Sequence, residues 1–314
     1  MARAIVYTEF GSPDVLRLID IPDPEAGDGE VVVRIEAAGV NPIDAKLRGG
    51  KRPSPPIAEP RRVGFDGAGV VTAVGEGVSE FSVGDRVAIR DGSGTYATDL
   101  AVPASKLALL PDAVTAAEGA AVGIPAGTAF QSLKSLGVSA GDVLLVHAGS
   151  GAVGQAAVQF AVAWGATVIA TASPARHDLL RGLGAIPVAY GDGLLERVRQ
   201  AAPSPVTVAL DGIGTDEAIE VSTALVADRE RIATIVRGPD AAALGIRAFS
   251  GGSPEPLTEQ ELAWRAEAVP ATIALIAAGD FAVEIGAELP LAEAARAHEL
   301  IEAHEARGKI VLVP

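Results

Sequence analysis

The chain has 314 residues, and its hydrophobic fraction of 49% supplies enough apolar side chains for two domains with buried cores. Its 40 acidic and 25 basic residues give a formal net charge of −15, which argues against binding nucleic acid or an anionic membrane surface. The absence of cysteine excludes disulfides and cysteine nucleophiles. With neither a membrane-length apolar run nor a signal-type N-terminus, we expect a cytoplasmic protein.

The first 110 or so residues read as short strands separated by Gly, Pro and Asp. Residues 31–37 and 69–74 are examples, each combining β-branched residues with an alternating or apolar pattern. Strands this short with frequent turn residues are typical of antiparallel, barrel-like domains. We therefore predict a β domain at the start of the chain.

From about residue 123 to residue 278, apolar strand patterns alternate with helical ones. The strand candidates are residues 143–146, 166–171, 186–189, 206–210, 231–236 and 244–249. This alternation predicts a doubly wound parallel sheet. The chain then closes with a helix over 292–305 and a strand over 308–313. Because no βα unit follows that last strand, we expect it to return to the first domain.

A glycine-rich turn directly follows the strand candidate 143–146. It consists of Gly149, Ser150, Gly151, Ala152, Val153 and Gly154, a complete G-x-G-x-x-G followed by apolar residues at helical spacing. In this pattern Gly149 permits a tight turn, Gly151 lets a pyrophosphate approach the backbone and Gly154 allows close helix–strand packing. The strand–turn–helix–strand context favours dinucleotide binding over the alternative, a structural glycine turn.

The end of the second strand distinguishes between the two nicotinamide cofactors. An NAD site usually has an acidic residue there for the ribose 2′-hydroxyl. This chain has the hydroxyl of Ser173 and the guanidinium of Arg176, which suit a 2′-phosphate. We therefore expect NADPH. The alternative is that Ser173 only starts the next helix and that Arg176 is solvated.

Four separated segments together resemble one protein family. They are residues 37–44, residues 64–71 with 83–87, the glycine turn, and residues 290–295 with 307–312. The chain resembles the zinc-free quinone oxidoreductase branch of the medium-chain dehydrogenases/reductases, which includes zeta-crystallin and several enoyl reductases. The resemblance implies an α/β protein: a GroES-like β-barrel catalytic domain of residues 1–122 completed by 279–314, and a Rossmann NADPH-binding domain of residues 123–278. It places the active site in the cleft between them.

The same resemblance addresses metal binding. Zinc-dependent relatives have Gly-His-Glu where this chain has Gly64-Phe65-Asp66, and a phenyl ring cannot bind zinc. The chain also lacks cysteine, and its four histidines do not have metal-ligand spacing. We therefore expect chemistry without a metal.

Catalytic candidates follow from the family's active-site positions. The resemblance implies that Asn41 and Thr128 lie beside the nicotinamide and that Asp44 orients its neighbours. Lys46 stands where many relatives have Tyr, so it could bind the acceptor carbonyl or deliver a proton, or belong to a solvated basic loop. Tyr96 is a second candidate proton donor; the alternative is a packed residue with its hydroxyl bonded to backbone.

Weaker cofactor candidates also come from the family comparison. They are Tyr190 near the adenosine phosphate, Ile213 near the ribose, and Lys309 reaching the cofactor from the catalytic domain. Each could equally be structural. We expect His147 to be neutral and to cap local backbone groups. Residues 53–59 and 249–254 are expected to line the substrate pocket.

The resulting function is an NADPH-dependent reductase of quinones or α,β-unsaturated carbonyl compounds. A biosynthetic enoyl thioester reductase is the nearest alternative, and an NADPH-binding protein without turnover, like some crystallins, is an alternative of another class. The apolar edge strand 243–249 also predicts a homodimer, unless residues 251–260 cover that edge.

Overall fold

The computed structural model describes residues 1–52, 54–249 and 255–314. The described residues up to 110 contain eight strands and one α-helix. The elements are β1 (Ala2–Tyr7), β2 (Arg17–Ile21), β3 (Glu30–Val40), α1 (Pro42–Arg48), β4 (Arg61–Arg62), β5 (Asp66–Val74), β6 (Arg86–Ile89), β7 (Asp99–Pro103) and β8 (Leu107–Leu109). Residue 53 and residues 250–254, part of the predicted pocket wall, lie outside the described residues.

Helices and strands then alternate to the C-terminus. They are α2 (Ala116–Ser135), β9 (Val143–His147), α3 (Ala152–Ala163), β10 (Thr167–Thr171), α4 (His177–Gly182), β11 (Ile186–Val188), α5 (Leu194–Ala201), β12 (Val208–Asp211), α6 (Asp216–Leu225), β13 (Ile232–Thr234), α7 (Gly238–Leu244), β14 (Arg247–Ala248), α8 (Glu259–Ala278), β15 (Ile285–Pro290), α9 (Ala294–Glu302) and β16 (Lys309–Val313). Among the described residues, no helix is both long and apolar enough to cross a bilayer.

The chain divides into two compact units. One contains Met1–Ile124 together with Val269–Pro314, and the other contains Pro125–Ala268. We call them the catalytic unit and the nucleotide unit, after the roles that the family resemblance implies. One boundary between the units falls inside α2 and the other inside α8. The nucleotide unit ends at Ala268, ten residues before the predicted end at residue 278.

Antiparallel pairing dominates the catalytic unit. A three-stranded sheet has the order β2-β1-β4, and a seven-stranded sheet has the order β15-β16-β3-β5-β6-β8, with β7 also paired to β3. β3 pairs with three strands, β16, β5 and β7, and all but three of its residues are buried. The core between these strands contains Ile5, Val33, Ile35 and Leu312.

The last strand returns to the catalytic unit, as predicted. β16 pairs antiparallel with β3, with Val311 opposite Gly39, and parallel with β15. β15 was not predicted from the sequence. The helix itself, α9, is shorter than the predicted 292–305.

The nucleotide unit is a parallel six-stranded sheet of the predicted doubly wound type. Its strand order is β11-β10-β9-β12-β13-β14, so β9 lies beside the point where the order reverses. Val143–His147 is buried throughout, which explains its continuous apolar pattern. Parallel sheets of this topology bind ligands at the carboxyl ends of the strands flanking the reversal.

The predicted strand 243–249 is wrong at five of its seven residues. Residues through Leu244 form α7, which begins with Gly238-Pro239 and ends at Gly245 in a left-handed conformation with φ 64°. Proline in the first turn and glycine after the last turn are strong helix boundary signals. Only Arg247 and Ala248 remain as β14, so the sheet edge is much shorter than predicted.

Candidate functional site

The glycine turn joins β9 to α3, and two of its glycines are required by packing. A Cβ at Gly149 would lie 2.7 Å from that of Ala170, and a Cβ at Gly154 would lie 2.7 Å from Gly149 Cα. The tight turn itself is made by Ala148, which has a φ of 59°. The role predicted for Gly149 is therefore corrected: it allows close contact with β10, where its N–H donates to Thr171 O at 2.9 Å.

Gly151 differs from the other two glycines. It is exposed, its φ of −76° suits any residue, and a Cβ there would meet only Ala148 O at 3.5 Å. The fold therefore does not require glycine at this position. Ala152, Val153 and Gly154 follow as the first turn of α3, where backbone N–H groups lack intrahelical acceptors and the helix dipole favours an anion. Ser150 and Ala152 are half-buried beside it.

The end of β10 has the residues that suggested NADPH. Ser173 precedes a 3-10 turn, Pro174–Arg176, and Arg176 N–H donates to Ser173 O at 2.9 Å. Both side chains are half-buried. An acidic residue is absent from 171–177, so the structure keeps a hydroxyl and a guanidinium within one turn at this strand end.

Polar residues end the central strands of the same sheet. His147 on β9 contacts the hydroxyl of Ser222 through Nε2 at 3.1 Å and that of Thr171 through Nδ1 at 3.4 Å. Burial lowers the pKa of His147 to about 4, so the ring is neutral at neutral pH. The prediction of a neutral ring is thus supported, whereas its predicted backbone partners are wrong.

Asp211 shapes the loop that contains Ile213. Its carboxylate accepts N–H donors from Ile213 at 3.0 Å and Gly214 at 2.8 Å, and the hydroxyl of Thr234 at 2.7 Å. The side chain of Ile213 is consequently directed outward and is 50% exposed. Tyr190, after β11, is also an exposed side chain. Both remain cofactor candidates.

Thr128 lies buried on α2. Its hydroxyl accepts a hydrogen bond from Arg265 Nη2 on α8 at 3.0 Å. A threonine oxygen can accept a second bond and its proton can be donated, so this contact leaves hydrogen-bonding capacity. The predicted nicotinamide contact of Thr128 stays a prediction.

A buried polar cluster lies in the catalytic unit. Asn41 Nδ2 donates to Asp66 Oδ2 at 3.0 Å, and Lys309 Nζ donates to Asn41 Oδ1 at 2.5 Å and lies 3.5 Å from Asp66 Oδ2. The side chains of Asp66 and Lys309 are 0% and 4% exposed. Ile124 N–H donates to both Asp66 oxygens at 3.0 Å, one residue before Pro125, which cannot donate. The cluster thus fixes the Asn41 amide between a cation and an anion.

Glycines make room for this cluster. A Cβ at Gly39 would collide with the Ala120 carbonyl and lie 3.1 Å from Lys309 Cε, and a Cβ at Gly123 would lie 2.7 Å from Asp66 Cγ. Burial raises the pKa of Asp66 and lowers that of Lys309, because each group loses water. The mutual attraction and the hydrogen bonds from Asn41 and Ile124 oppose these shifts.

Asp44 lies one helical turn from Asn41. Asn41 is the N-cap of α1 and Asp44 lies in its first turn, where Asp44 Oδ2 accepts the Asn41 N–H at 2.8 Å. The Tyr96 hydroxyl donates to the same oxygen at 3.0 Å, so the predicted backbone partner of Tyr96 is wrong. Burial raises the pKa of Asp44 to about 7, although the two hydrogen bonds and the charge of Lys309 lower it.

The two proposed proton donors differ in environment. Tyr96 is fully buried, and burial together with the charge of Asp44 raises the pKa of its hydroxyl well above 10.0. Lys46 on α1 is half-buried, and its pKa is lowered first by burial and then by the positive charges of Arg52 and Lys51. A lysine with a lowered pKa gives up its proton more readily than a tyrosine with a raised one.

Sequence reasoning missed Asp66, His298 and Arg48 as members of this region. His298 Nε2 lies 3.4 Å from the Tyr96 hydroxyl oxygen, and Arg48 Nη2 pairs with Glu302 Oε1 at 2.5 Å. Asp66 had a signal, since it is the one charged residue in the apolar, glycine-rich run 63–71. The other two had none, because their partners are more than 200 residues away in sequence.

Clusters of three or more His, Cys, Asp or Glu with metal-binding geometry do not occur among the described residues.

The comparisons with known proteins then place the chain in a family. Residues 27–112 match the alcohol dehydrogenase GroES-like domain, and residues 183–312 match the model described as zinc-binding dehydrogenase.

Relatives that match this chain over their whole length include quinone oxidoreductases and solved complexes with NADPH. The chain is 35% identical to a quinone oxidoreductase of Pseudomonas aeruginosa, with 100% of both chains covered. It is 34% identical to a mycobacterial protein solved in complex with NADPH, at a TM-score of 0.84 with 100% of both chains covered. The quinone oxidoreductase of Escherichia coli, also solved with NADPH, is 27% identical at a TM-score of 0.84, again over 100% of both chains. The chain therefore belongs to the quinone oxidoreductase family of the medium-chain dehydrogenases/reductases.

Proposed function

We propose that this protein is an NADPH-dependent oxidoreductase that reduces a quinone or another α,β-unsaturated carbonyl compound without a metal. One observation carries the proposal: a Cβ at the exposed Gly151 would make only an ordinary contact, 3.5 Å from Ala148 O, so the fold does not require glycine at this point, which lies at the N-terminus of α3 and at the carboxyl edge of the parallel sheet. Two solved relatives with NADPH support the choice of cofactor.

The residues present fit the cofactor. Backbone N–H groups at the start of α3 would bind the pyrophosphate, and the absent side chain of Gly151 leaves it room. Ser173 and Arg176 would bind the 2′-phosphate, for which a guanidinium offers paired donors. Tyr190 and Ile213 are exposed after the ends of β11 and β12, which flank β10 and β9 in the sheet, and they stay candidates for the adenosine and ribose contacts.

Reduction of a quinone to a hydroquinone requires two electrons and two protons, and NADPH supplies a hydride, which accounts for both electrons and one proton. The chain must therefore bring the second proton. We propose Lys46 as its source, since the pKa of its ammonium is lowered, while the Tyr96 hydroxyl already donates to Asp44.

Asn41 and Lys309 have a positioning part in this proposal. Both Asn41 side-chain groups are engaged by Gly39, Asp66 and Lys309, which leaves the second lone pair of Oδ1 as its remaining capacity. We propose that this fixed amide orients the nicotinamide. Thr128 would do the same from α2, using the free capacity of its hydroxyl.

Metal independence is part of the proposal and rests on composition. Cysteine is absent from the sequence, and Phe65 stands where zinc-dependent relatives have a histidine ligand. Activity should survive incubation with a chelator, and elemental analysis should find no stoichiometric zinc. One bound equivalent of zinc whose removal abolishes activity would refute this part.

The test of the function is an NADPH-consumption screen over three substrate classes: quinones, simple enones and enoyl thioesters. We expect turnover with quinones and enones, faster with NADPH than with NADH. Turnover confined to thioesters would instead support the biosynthetic enoyl reductase. Tight NADPH binding by calorimetry with no turnover on any class would support a binding protein and overturn the proposal.

Assembly and location stay proposals as well. The shortened edge strand β14 weakens the structural argument for a dimer through residues 243–249, although Ile246 and Phe249 beside it are buried. Light scattering that finds a mass near the chain's 31.7 kDa would refute the dimer.

A further inference from the structure

Three buried side chains from three elements form a hydrogen-bonded row in the catalytic unit. Asp44 lies on α1, Tyr96 before β7, and His298 on α9. The Tyr96 hydroxyl oxygen is 3.0 Å from Asp44 Oδ2 and 3.4 Å from His298 Nε2. The rings of Tyr96 and His298 meet edge to face, with centroids 5.9 Å apart at 78°.

Counting protons fixes the direction of each hydrogen bond. Above the Asp44 pKa of about 7 the ionised carboxylate can only accept, so the one hydroxyl proton of Tyr96 is donated to Asp44. The oxygen of Tyr96 must then accept from His298, which requires the proton of the imidazole to be on Nε2. His298 Nδ1, which would then have only a lone pair, indeed lacks a partner in the described part of the chain.

We propose that His298 is a positioning residue: its Nε2–H orients the Tyr96 hydroxyl, which in turn holds the Asp44 carboxyl against the Asn41 N–H at the start of α1. The proposal rests on the proposed function, because Asn41 matters for catalysis only if the catalytic unit takes part in hydride transfer. His298 acts through Tyr96 and Asp44 and does not itself touch reacting atoms.

Charges around the row agree with this assignment. Asp44 is faced by Asp66 from β5 and Lys309 from β16. His298 is faced by Arg48 from α1, which is itself paired with Glu302 on α9. Burial and the Arg48 charge lower the pKa of His298 to about 3, so the ring is neutral and can keep one nitrogen protonated.

A simple packing role for His298 predicts something different. If only ring contacts mattered, any replacement of similar volume would serve, whereas the proposal requires a donor at the position of Nε2. Glutamine places its amide nitrogen near the position of Nε2, and asparagine places it near that of Nδ1. His298→Gln and His298→Asn are therefore a matched pair that differ in where the donor lies, and His298→Phe keeps the ring alone.

The direct test follows the carboxyl carbon of Asp44 by NMR as a function of pH, in protein labelled with ¹³C at aspartate. The wild-type midpoint should lie near the Asp44 pKa of about 7. Tyr96→Phe removes a donor to the carboxylate, so its midpoint should rise by about one pH unit. His298→Asn and His298→Phe should raise the midpoint by about half a pH unit, because Tyr96 loses the bond that polarises it. His298→Gln should stay near wild type.

Equal midpoints for His298→Gln, His298→Asn and wild type would overturn the proposal. If His298→Asn does not fold, as judged by circular dichroism, Tyr96→Phe tests the same row, because it removes the hydroxyl that contacts both Asp44 and His298. An unchanged Asp44 midpoint in Tyr96→Phe would also overturn the proposal. The NMR measurement needs no turnover, so its failure is separable from failure of the proposed function.

Kinetics give a second reading if the protein reduces quinones. His298→Asn should lower kcat about threefold with KM for NADPH unchanged, and His298→Gln should restore kcat. A rise in KM with unchanged kcat would contradict a positioning role. Wild-type protein without turnover but with the expected NMR midpoints would refute the proposed function and leave this inference standing.

Discussion

The glycine turn of the nucleotide unit and the Asp66 cluster of the catalytic unit are both rich in glycine, but they use it in opposite ways. At Gly151, which is exposed, a Cβ would make only an ordinary contact, 3.5 Å from Ala148 O. At Gly39 and Gly123 the position of a Cβ is blocked by other protein atoms, by the Ala120 carbonyl beside Lys309 at Gly39 and by the Asp66 carboxyl at Gly123. The first arrangement is suited to a ligand, and the second holds the protein's own charges in place. Glycine content alone therefore does not distinguish a binding site from a packed one.

The largest expected effect is a loss of stability when the buried Asp66–Lys309 ion pair is broken. Lys309→Met removes the cation that lies between Asn41 and Asp66, which leaves a buried carboxylate without its ion-pair partner. Breaking a buried pair from one side costs about 3–5 kcal/mol. Urea unfolding at pH 7 should therefore show a free energy of unfolding lower by about 3 kcal/mol, since Ile124 N–H and the Asn41 amide still support Asp66.

A surface ion pair provides the control for that variant. Arg181 and Asp178 lie 2.6 Å apart, but their side chains are 58% and 98% exposed. Exposed pairs contribute little, so Arg181→Met should leave unfolding nearly unchanged. If the Lys309 and Arg181 variants lost equal stability, burial would not be the cause and the comparison of the two regions would fail.

The next prediction concerns how the free energy of unfolding depends on pH through buried titratable groups of the two units. His147 and His298 have pKa values lowered from 6.5 to about 4 and about 3, so between pH 4 and 6.5 the unfolded chain binds more protons at both. Stability from these groups is lost as pH falls through this window. Asp44 acts in the opposite sense, because its pKa is raised from 3.8 to about 7 and the folded chain holds that proton.

Asp44→Asn should therefore steepen the acid decline in stability. Without the Asp44 carboxyl, the folded state binds one proton fewer between about pH 4.5 and 6.5. The slope of the free energy of unfolding against pH therefore increases by about 1.4 kcal/mol per pH unit in this range. The amide keeps an oxygen for the Asn41 N–H and Tyr96 hydroxyl, so the fold should persist. Urea unfolding at several pH values measures both slopes, and parallel curves for the two proteins would show that Asp44 is not protonated in the folded state.

How much of this could be predicted from sequence depended on the distance between partners along the chain. The glycine turn and its flanking strands lie within 30 residues, and their periodicities predicted β9, α3 and β10 correctly. Residues 243–249 were predicted as a strand, although Pro239 and Gly245 are boundary signals of the helix that the structure has up to Leu244. The Asp66–Lys309 pair and the Tyr96–His298 contact span more than 200 residues, and local pattern does not report them.

A pair of glycine substitutions tests the open region directly. In Gly151→Ala the new Cβ meets only Ala148 O at 3.5 Å, so the fold should be retained while NADPH binding weakens at least about tenfold, or about 1.4 kcal/mol. In Gly154→Ala the Cβ would lie 2.7 Å from Gly149 Cα, and overpacking should lower stability by about 1–3 kcal/mol. Calorimetry and urea unfolding separate the two, and full NADPH affinity in Gly151→Ala would show that no ligand approaches that face.

The smallest expected effect concerns the choice between NADPH and NADH. Arg176 and Ser173 lie at the end of β10 where an acidic residue would favour NADH, and the two cofactors differ only in the 2′-phosphate. Arg176→Ala should therefore weaken NADPH binding by up to about tenfold, about 1.4 kcal/mol, and leave NADH binding unchanged. Calorimetry with both cofactors on both proteins gives the four affinities needed. The Gly151→Ala variant is the matched contrast, since a pyrophosphate is common to both cofactors and their affinities should fall together. If Arg176→Ala weakened NADPH and NADH binding by the same factor, the guanidinium would stabilise the turn after β10 and would not bind the 2′-phosphate.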